Sequence, residues 1–451
     1  MTLAPEAPAL ERPPAPPTAR EGVVARARGA LARDLEVPST WPALDSLRGL
    51  AVAAVVAWHV YRLTGSPTTA PAWGWPLATL RLAVDVFFVL SGFLVIRSWR
   101  SIRQQATGSV RAAGEFWRRR ARRILPAYWV SLVVLLALIS RPVLHNPRHL
   151  LLFATLNEWV RFSLPGRVNV VYWSLSVEWH FYVLVPLVAF LMTRIGRWPV
   201  YAGALWLSFM WGSHVPPMQL PAGFVFGHLD QFVAGAIAGE LVVAHASGAR
   251  HRVVQVVRER WFGGAVVFAM LAVGTYHGWR IAGGAAHEFD ALLHPVFGAL
   301  AAAAIVHLLT RPRPTRLEHP WLRILGLVSF SLYLWHWPIM SHGIPWARRF
   351  AVLPSAIWVP LTVLAFVAIA FVVATVSYLL VERPFLTKRR ASNAERVRAT
   401  PDVAPIASAG LRGPAGRLPA WPSRRSSASR PNTGSRSGAR PTRTPSSHRA
   451  S

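Results

Sequence analysis

Between Trp41 and Thr387 the chain alternates long uncharged apolar runs with short polar, mostly basic segments. A helix needs about 20 predominantly apolar residues to cross a bilayer core. Ten runs come close to that length: Leu44–Leu63, Leu82–Trp99, Ile124–Ile139, Trp173–Met192, Val200–Trp211, Leu229–His245, Phe262–Tyr276, Ala291–Leu309, Leu322–Ile344 and Ala356–Leu380. The pattern predicts an all-α, polytopic membrane protein with about ten transmembrane helices. The fifth run is the shortest. A further apolar stretch, His149–Phe162, carries Asn157, Glu158 and Arg161 and is read as an outer re-entrant or interfacial segment.

Composition supports this pattern. Hydrophobic residues make up 53% of the chain and charged residues only 15%, against about 25% charged in a typical soluble domain. The formal net charge is +30. In a soluble chain that excess would suggest nucleic acid. Here the basic residues lie in loops and tails, where the positive-inside rule and anionic headgroups account for them, so no nucleic-acid partner is expected. With Cys 0, disulfides, thiolate nucleophiles and Cys-ligated metals are excluded. The histidines outside the motifs below show no ligand spacing, so neither a metal nor a tightly bound cofactor is expected.

The arginine clusters at 97–123, 250–260 and 311–323 place both termini on the cytoplasmic side of a multi-pass cell membrane protein. Residues 1–40 are rich in Pro, Ala and Arg and lack a signal-peptide core. They read as a disordered cytoplasmic tail. Residues 41–387 form the membrane domain, and 388–451 a second disordered basic tail suited to contact anionic lipid.

The first run, LDSLRGLAVAAVVAWHVYR, embeds Asp45, Arg48 and His59. Arg48 and His59 are eleven positions apart, roughly three helical turns, so both project from one face about 16 Å apart along the axis. If Arg48 sits at the cytoplasmic edge, His59 lies near the midplane. Ionisable groups at that depth are costly and are functional candidates by default. The alternative is that His59 satisfies a neighbouring carbonyl.

Other unusual strings follow. VDVFFVLSGFLV holds Asp85, Ser91, Gly92 and Phe93. FWRRRARRILPAYW places Arg120 and Arg123 three apart, on one helix face. VYWSLSVEWHFYVLVPL holds Trp173 and Glu178, and SFSLYLWHWPI holds Tyr333, His336 and Pro338. SYLLVERPF closes the last run with Glu382 and Arg383. Ser91 is not in a G-x-S-x-G elbow, which argues against reading it as a nucleophile of that kind.

In this order, over Trp41–Thr387, these strings resemble the membrane acyltransferase-3 family, O-acyltransferases that decorate sugars and other hydroxyl compounds. The appended SGNH esterase domain of some members is not expected here. In the fourth run Trp179-His180 departs from the family's usual polar residue after the glutamate.

His59 is a neutral imidazole able to accept a hydroxyl proton, and Asp85 on the second run is a carboxylate of the kind that orients such a base; the resemblance implies the same catalytic role for His59. The alternative for Asp85 is an ion pair with Arg48 or Arg81. The fork of Arg120 and Arg123 suits the phosphates of an acyl-CoA co-substrate, with Arg48 at the same depth to join them, and the resemblance favours this role over the alternative, an ordinary positive-inside cluster. The turn Ser91-Gly92-Phe93 would line the pocket. Trp173, Glu178 and Tyr333 would meet the acceptor on the outer side, where Trp173 and Tyr182 also fit an aromatic belt. His336 is a rival base. Glu382 and Arg383 read as a structural clasp at the cytoplasmic edge. The expected activity is transfer of an acyl group, acetyl above all, from cytoplasmic acyl-CoA to a hydroxyl of a carbohydrate or glycoconjugate. The alternative is a transporter of a solute or lipid-linked intermediate, since many spans with buried charge fit that too. A polyprenyl-phosphate glycosyltransferase is disfavoured because Thr64–Arg81 contains no Asp or Glu.

Overall fold

Hydrocarbon offers backbone N–H and C=O groups no water, and a helix pairs them within one segment. The apolar runs accordingly fold as helices in the computed structural model, which describes residues 19–36, 41–64, 72–158, 168–214, 224–282, 290–311, 316–349 and 355–386. Among the described residues there is no β-strand.

The chain opens with α1 (Ala19–Glu36) and α2 (Pro42–Thr64). A 3-10 helix, Ala72–Leu82, leads into α3 (Ala83–Gln105), which is followed by α4 (Ser109–Leu138), α5 (Pro147–Ala154) and α6 (Tyr172–Ile195). Next come α7 (Arg197–His214), α8 (Leu229–Ala246), α9 (Arg252–Val257), α10 (Phe262–Ala282) and α11 (Asp290–Thr310). Helices α12 (Pro320–Leu327), α13 (Ser329–Arg348) and α14 (Ser355–Ser377) complete the series, and α14 continues as a π-helical turn, Tyr378–Glu382.

Among the described residues, eight helices are long and apolar enough to cross a membrane, or nine if α12 and α13, bent by 69° at their junction, count as one span. The fifth expected crossing falls on α7, which is not among them. Arg197, Ser208, Ser213 and His214 dilute its apolar character. The His149–Phe162 stretch yields only the short α5, capped by Asn146, whose side-chain oxygen accepts from the backbone N–H of Arg148 and His149 at 3.1 and 3.3 Å. Residues 159–162 lie outside the described residues.

The expected disordered tail does not hold over residues 19–36. AREGVVARARGALARDLE is rich in the good helix formers Ala, Arg and Leu and forms α1. The helix is tied down at its end: the buried Asp34 accepts from Arg383 Nε at 2.8 Å and from Tyr378 Oη at 3.1 Å. Arg323 donates to the Leu35 carbonyl at 3.0 Å. The rest of the two expected tails, residues 1–18, 37–40 and 388–451, lies outside the described residues.

Small residues set the closest helix crossings, as expected where apolar lipid removes the hydrophobic drive for helix association. At the α3–α8 crossing a Cβ on Gly92 would stand 2.1 Å from the Phe232 carbonyl oxygen, and one on Gly235 would stand 1.9 Å from that of Val89. At the α2–α12 crossing the same holds for Gly326 against Asp45 O (1.9 Å) and Gly49 against Leu322 O (2.5 Å). Leaving out any of these glycines would push two backbones apart. On α14, by contrast, Ile357, Leu361, Leu364 and Val372 face outward, a surface suited to lipid and costly in water.

Candidate active site

Three basic side chains converge from two helices. Arg120, on α4, is almost wholly buried, its guanidinium 4.8 Å from the Tyr182 ring centroid and 5.4 Å from that of Phe116. Arg48, on α2, lies within electrostatic reach of Arg123, Asp45, Tyr182 and Glu178, and Arg120 within reach of Arg123 and Glu178. Arg123 is the exposed member of the group. The only carboxylate bridging to Arg48 by direct approach among the described residues is Asp45, at 3.8 Å, three positions away on the same helix. The three guanidinium groups sit in a low-dielectric setting, where interaction with an anionic group is strengthened, while Asp45, Glu178 and, beside Arg123, Glu382 offset part of their charge.

Glu178 stands inside this cluster. Its Oε1 accepts from both Ser91 Oγ and Tyr182 Oη, and those two hydroxyl oxygens are 3.3 Å apart. Tyr182 reaches Glu178 because offset four on α6 puts them on one face. Ser91 reaches it because the glycine contacts hold α3 in place. The side chains of Ser91 and Tyr182 are buried, while Glu178 and Arg48 keep partial exposure. The centre is thus enclosed by helices but not sealed.

A second polar group lies further along. Tyr333 Oη and Ser174 Oγ are 2.6 Å apart, the Tyr333 ring is 6.1 Å from Phe87, and Glu178 acts on Tyr333 electrostatically. On the other side the Tyr333 ring is 5.8 Å from that of His336. His336 Nδ1 donates to the Leu332 carbonyl at 3.0 Å, which leaves Nε2 as an acceptor. That Nε2 is 3.1 Å from His59 Nδ1. Nδ1 of His59 also lies 3.0 Å from the Val55 carbonyl oxygen. Both of its neighbours are acceptors, so His59 carries its proton on Nδ1 and Nε2 presents a lone pair. Trp337 packs on the His59 ring at 4.8 Å. A row of polar side chains thus runs from Arg120 through Tyr182, Glu178 and Ser91 to Tyr333, His336 and His59.

The structure rearranges several expected roles. Asp85 does not meet His59: its buried carboxylate accepts from His294 Nδ1 of α11 at 2.7 Å. Nor does it pair with Arg48 or Arg81; Arg81 contacts His277 at 2.9 Å. Asp230 acts electrostatically on the Asp85–His294 pair and accepts from Ser208 at 2.7 Å. Glu178, expected apart on the outer side, belongs to the arginine cluster. Of the turn Ser91-Gly92-Phe93, only Ser91 faces the site. Successive helical residues point about 100° apart, so Gly92 meets α8 and Phe93 is fully buried against Trp41. Trp173 packs on Phe88 and His228, at 6.2 and 5.6 Å. Glu382 accepts from Ser331 Oγ and lies within electrostatic reach of Arg123, while Arg383 holds Asp34. No group of three or more potential metal ligands occurs among the described residues. Tyr182 and Ser174 are site residues that sequence reasoning undervalued. The i, i+4 spacing of Glu178 and Tyr182 was the available signal.

A polytopic helical membrane protein with a basic centre and an imidazole at opposite ends of one polar row is what the fold and site define. The acyltransferase-3 family, described as an acyltransferase domain, matches residues 41–382, and the chain belongs to that family. It is similar to the peptidoglycan O-acetyltransferase OatA of Listeria monocytogenes, 25% identical over 76% of this chain and 55% of the relative. It is also similar to the exopolysaccharide production protein ExoZ of Rhizobium meliloti, 29% identical over 68% of this chain and 90% of the relative. The chain thus spans about half the length of the Listeria protein. No solved structure matches.

Proposed function

We propose that this protein is a membrane O-acyltransferase that moves an acetyl group from cytoplasmic acetyl-CoA to a hydroxyl of a carbohydrate or glycoconjugate. The observation that carries the reading is the polar row, which joins a site for a polyanionic donor to an imidazole with a free lone pair. Arg48, Arg120 and Arg123 take the donor's phosphates through charge-assisted hydrogen bonds. His59 Nε2 accepts the acceptor's hydroxyl proton, and the resulting imidazolium keeps its Nδ1–H on His336 Nε2. The acceptor oxygen bonds to the acyl carbon, the C–S bond breaks, and the thiolate of CoA leaves with the proton. The basic loops favour a cytoplasmic N-terminus, an orientation that puts the arginine end of the row toward the donor pool. The acceptor class is supported by relatives named for peptidoglycan and exopolysaccharide.

The test compares ester-linked acetate on surface glycans and glycolipids from cells carrying the wild-type chain or His59→Ala. One ester signal disappears in the variant while the protein stays at its normal level in the membrane. An unchanged ester profile would return the transporter reading.

A further inference from the structure

The polar row contains a nucleophile–base pair that the direct transfer above does not use. Ser91 Oγ donates to Glu178 Oε1. Tyr182 donates to the same oxygen and so fixes the carboxylate's orientation. Nucleophile, base and orienting group in mutual hydrogen-bond contact are the signature of covalent catalysis. The pair sits at the donor end of the row: Arg120 lies over Tyr182, and Arg48 and Arg120 both act on Glu178. Among the described residues Tyr333 and His336 lie between this pair and His59. Glu178 is thus the base within reach of an ester on Ser91, and His59 stands on the acceptor's side of the row. Ser91 is buried, yet Glu178 and Arg48 beside it keep partial exposure, so a small group can enter. Gly92 adds to the placement, because its contact with the Phe232 carbonyl fixes the depth of Ser91 against α6.

We propose that Ser91 carries the acyl group between donor and acceptor as an enzyme ester. In the first half-reaction Glu178 takes the Ser91 hydroxyl proton and Oγ bonds to the thioester carbonyl carbon. The developing oxyanion is stabilised by the adjacent guanidinium charge. The C–S bond breaks and the CoA thiolate takes the proton from Glu178 and leaves as the thiol. In the second, the acceptor enters past His59, which positions it; Glu178 takes its hydroxyl proton, and the acceptor oxygen bonds to the ester carbon. The C–Oγ bond breaks, and Glu178 returns that proton to Ser91. The proposal rests on acyl-CoA being the donor.

The experiment uses the full-length protein, purified in detergent, with acetyl-labelled acetyl-CoA and no acceptor, followed by peptide mass spectrometry. Wild type gains one hydroxylamine-sensitive acetyl on the peptide holding Ser91. His59→Ala gains the same label, because the first half-reaction does not use His59. Glu178→Gln labels at least 100-fold more slowly, and Ser91→Ala does not label. The retained labelling of His59→Ala keeps the result independent of any misfolding of the Ser91 variant. In parallel, membrane vesicles of the expressing cells receive the same donor and are assayed for label in glycan. Glycan labelling by wild type with no ester on Ser91, or with the ester on another residue, overturns the relay and leaves the donor assignment intact. No label in either protein or glycan overturns the donor assignment, and the relay falls with it.

Discussion

Gly92→Ala is the sharpest probe of how the scaffold sets the chemistry. A Cβ at this position would stand 2.1 Å from Phe232 O and 2.9 Å from Phe232 Cα. Ordinary contact begins at 3.4 Å, so α3 and α8 must separate by about 1 Å. Both obstructing atoms are backbone, and no side chain can swing away. Overpacking of this kind costs about 1–3 kcal/mol, partly offset by the gain from Ala in a helix interior. The larger effect is on position. Ser91 precedes Gly92, and a 1 Å shift carries its hydroxyl off Glu178, a displacement that costs about 100-fold in rate in a positioned site. The comparison is Gly203→Ala on α7, where nothing lies within 4 Å of the added atom. Acetyl-CoA turnover and thermal unfolding in detergent are measured for both. Gly92→Ala loses turnover roughly 100-fold with a small drop in melting temperature; Gly203→Ala matches wild type or melts higher. If the two variants are equally active, the claim that the glycine crossing holds the reactive group in register is wrong.

Two further expectations follow from named contacts. His336→Ala removes the side-chain acceptor of the His59 Nδ1–H, leaving the Val55 carbonyl, and lowers kcat by about 10-fold, with the KM for acetyl-CoA unchanged; His336→Gln, whose amide oxygen can take that hydrogen bond, restores part of the rate and returns the kcat–pH midpoint toward wild type. Glu158 lies outside the spans, bonds Ser176 through one oxygen and leaves Oε2 buried with no partner among the described residues; burial pushes its carboxyl up from 4.5 to about 7. A raised carboxyl pKa means the folded state holds the proton more tightly, so this contribution to stability is complete below pH 4.5 and is lost as pH rises through about 7. Glu158→Gln therefore flattens the decline in melting temperature across that window, and an unchanged slope would dismiss Glu158 as its source.

How much was legible in the chain depends on whether the information was local. The apolar runs predicted the helices because hydropathy is read within one segment. The arginines predicted a basic centre because two of them share a helix face at offset three. Pairings between distant helices were not legible. Asp85 and His294 are 209 positions apart, and nothing in the span of either says which of several histidines the carboxylate will meet. Glu178 was misplaced for a related reason: distance from a span's end gives depth only when tilt and neighbouring helices are known, and α6 brings it level with α4's Arg120. The helix at 19–36 was hidden by the proline-rich residues before it, although its own stretch contains no proline.

The bent pair α12–α13 has a mechanical consequence. One arm lies against the lower part of α2 at Gly49 and Gly326, backbone to backbone. The other arm meets α2 near its far end, where His336 faces His59. Like a splint fastened at both ends, the elbow prevents α2 from sliding or rolling unless both attachments yield together. Arg48 and His59 ride on that one splinted rod, so any tilt provoked at the guanidinium end is felt at once by the imidazole at the other.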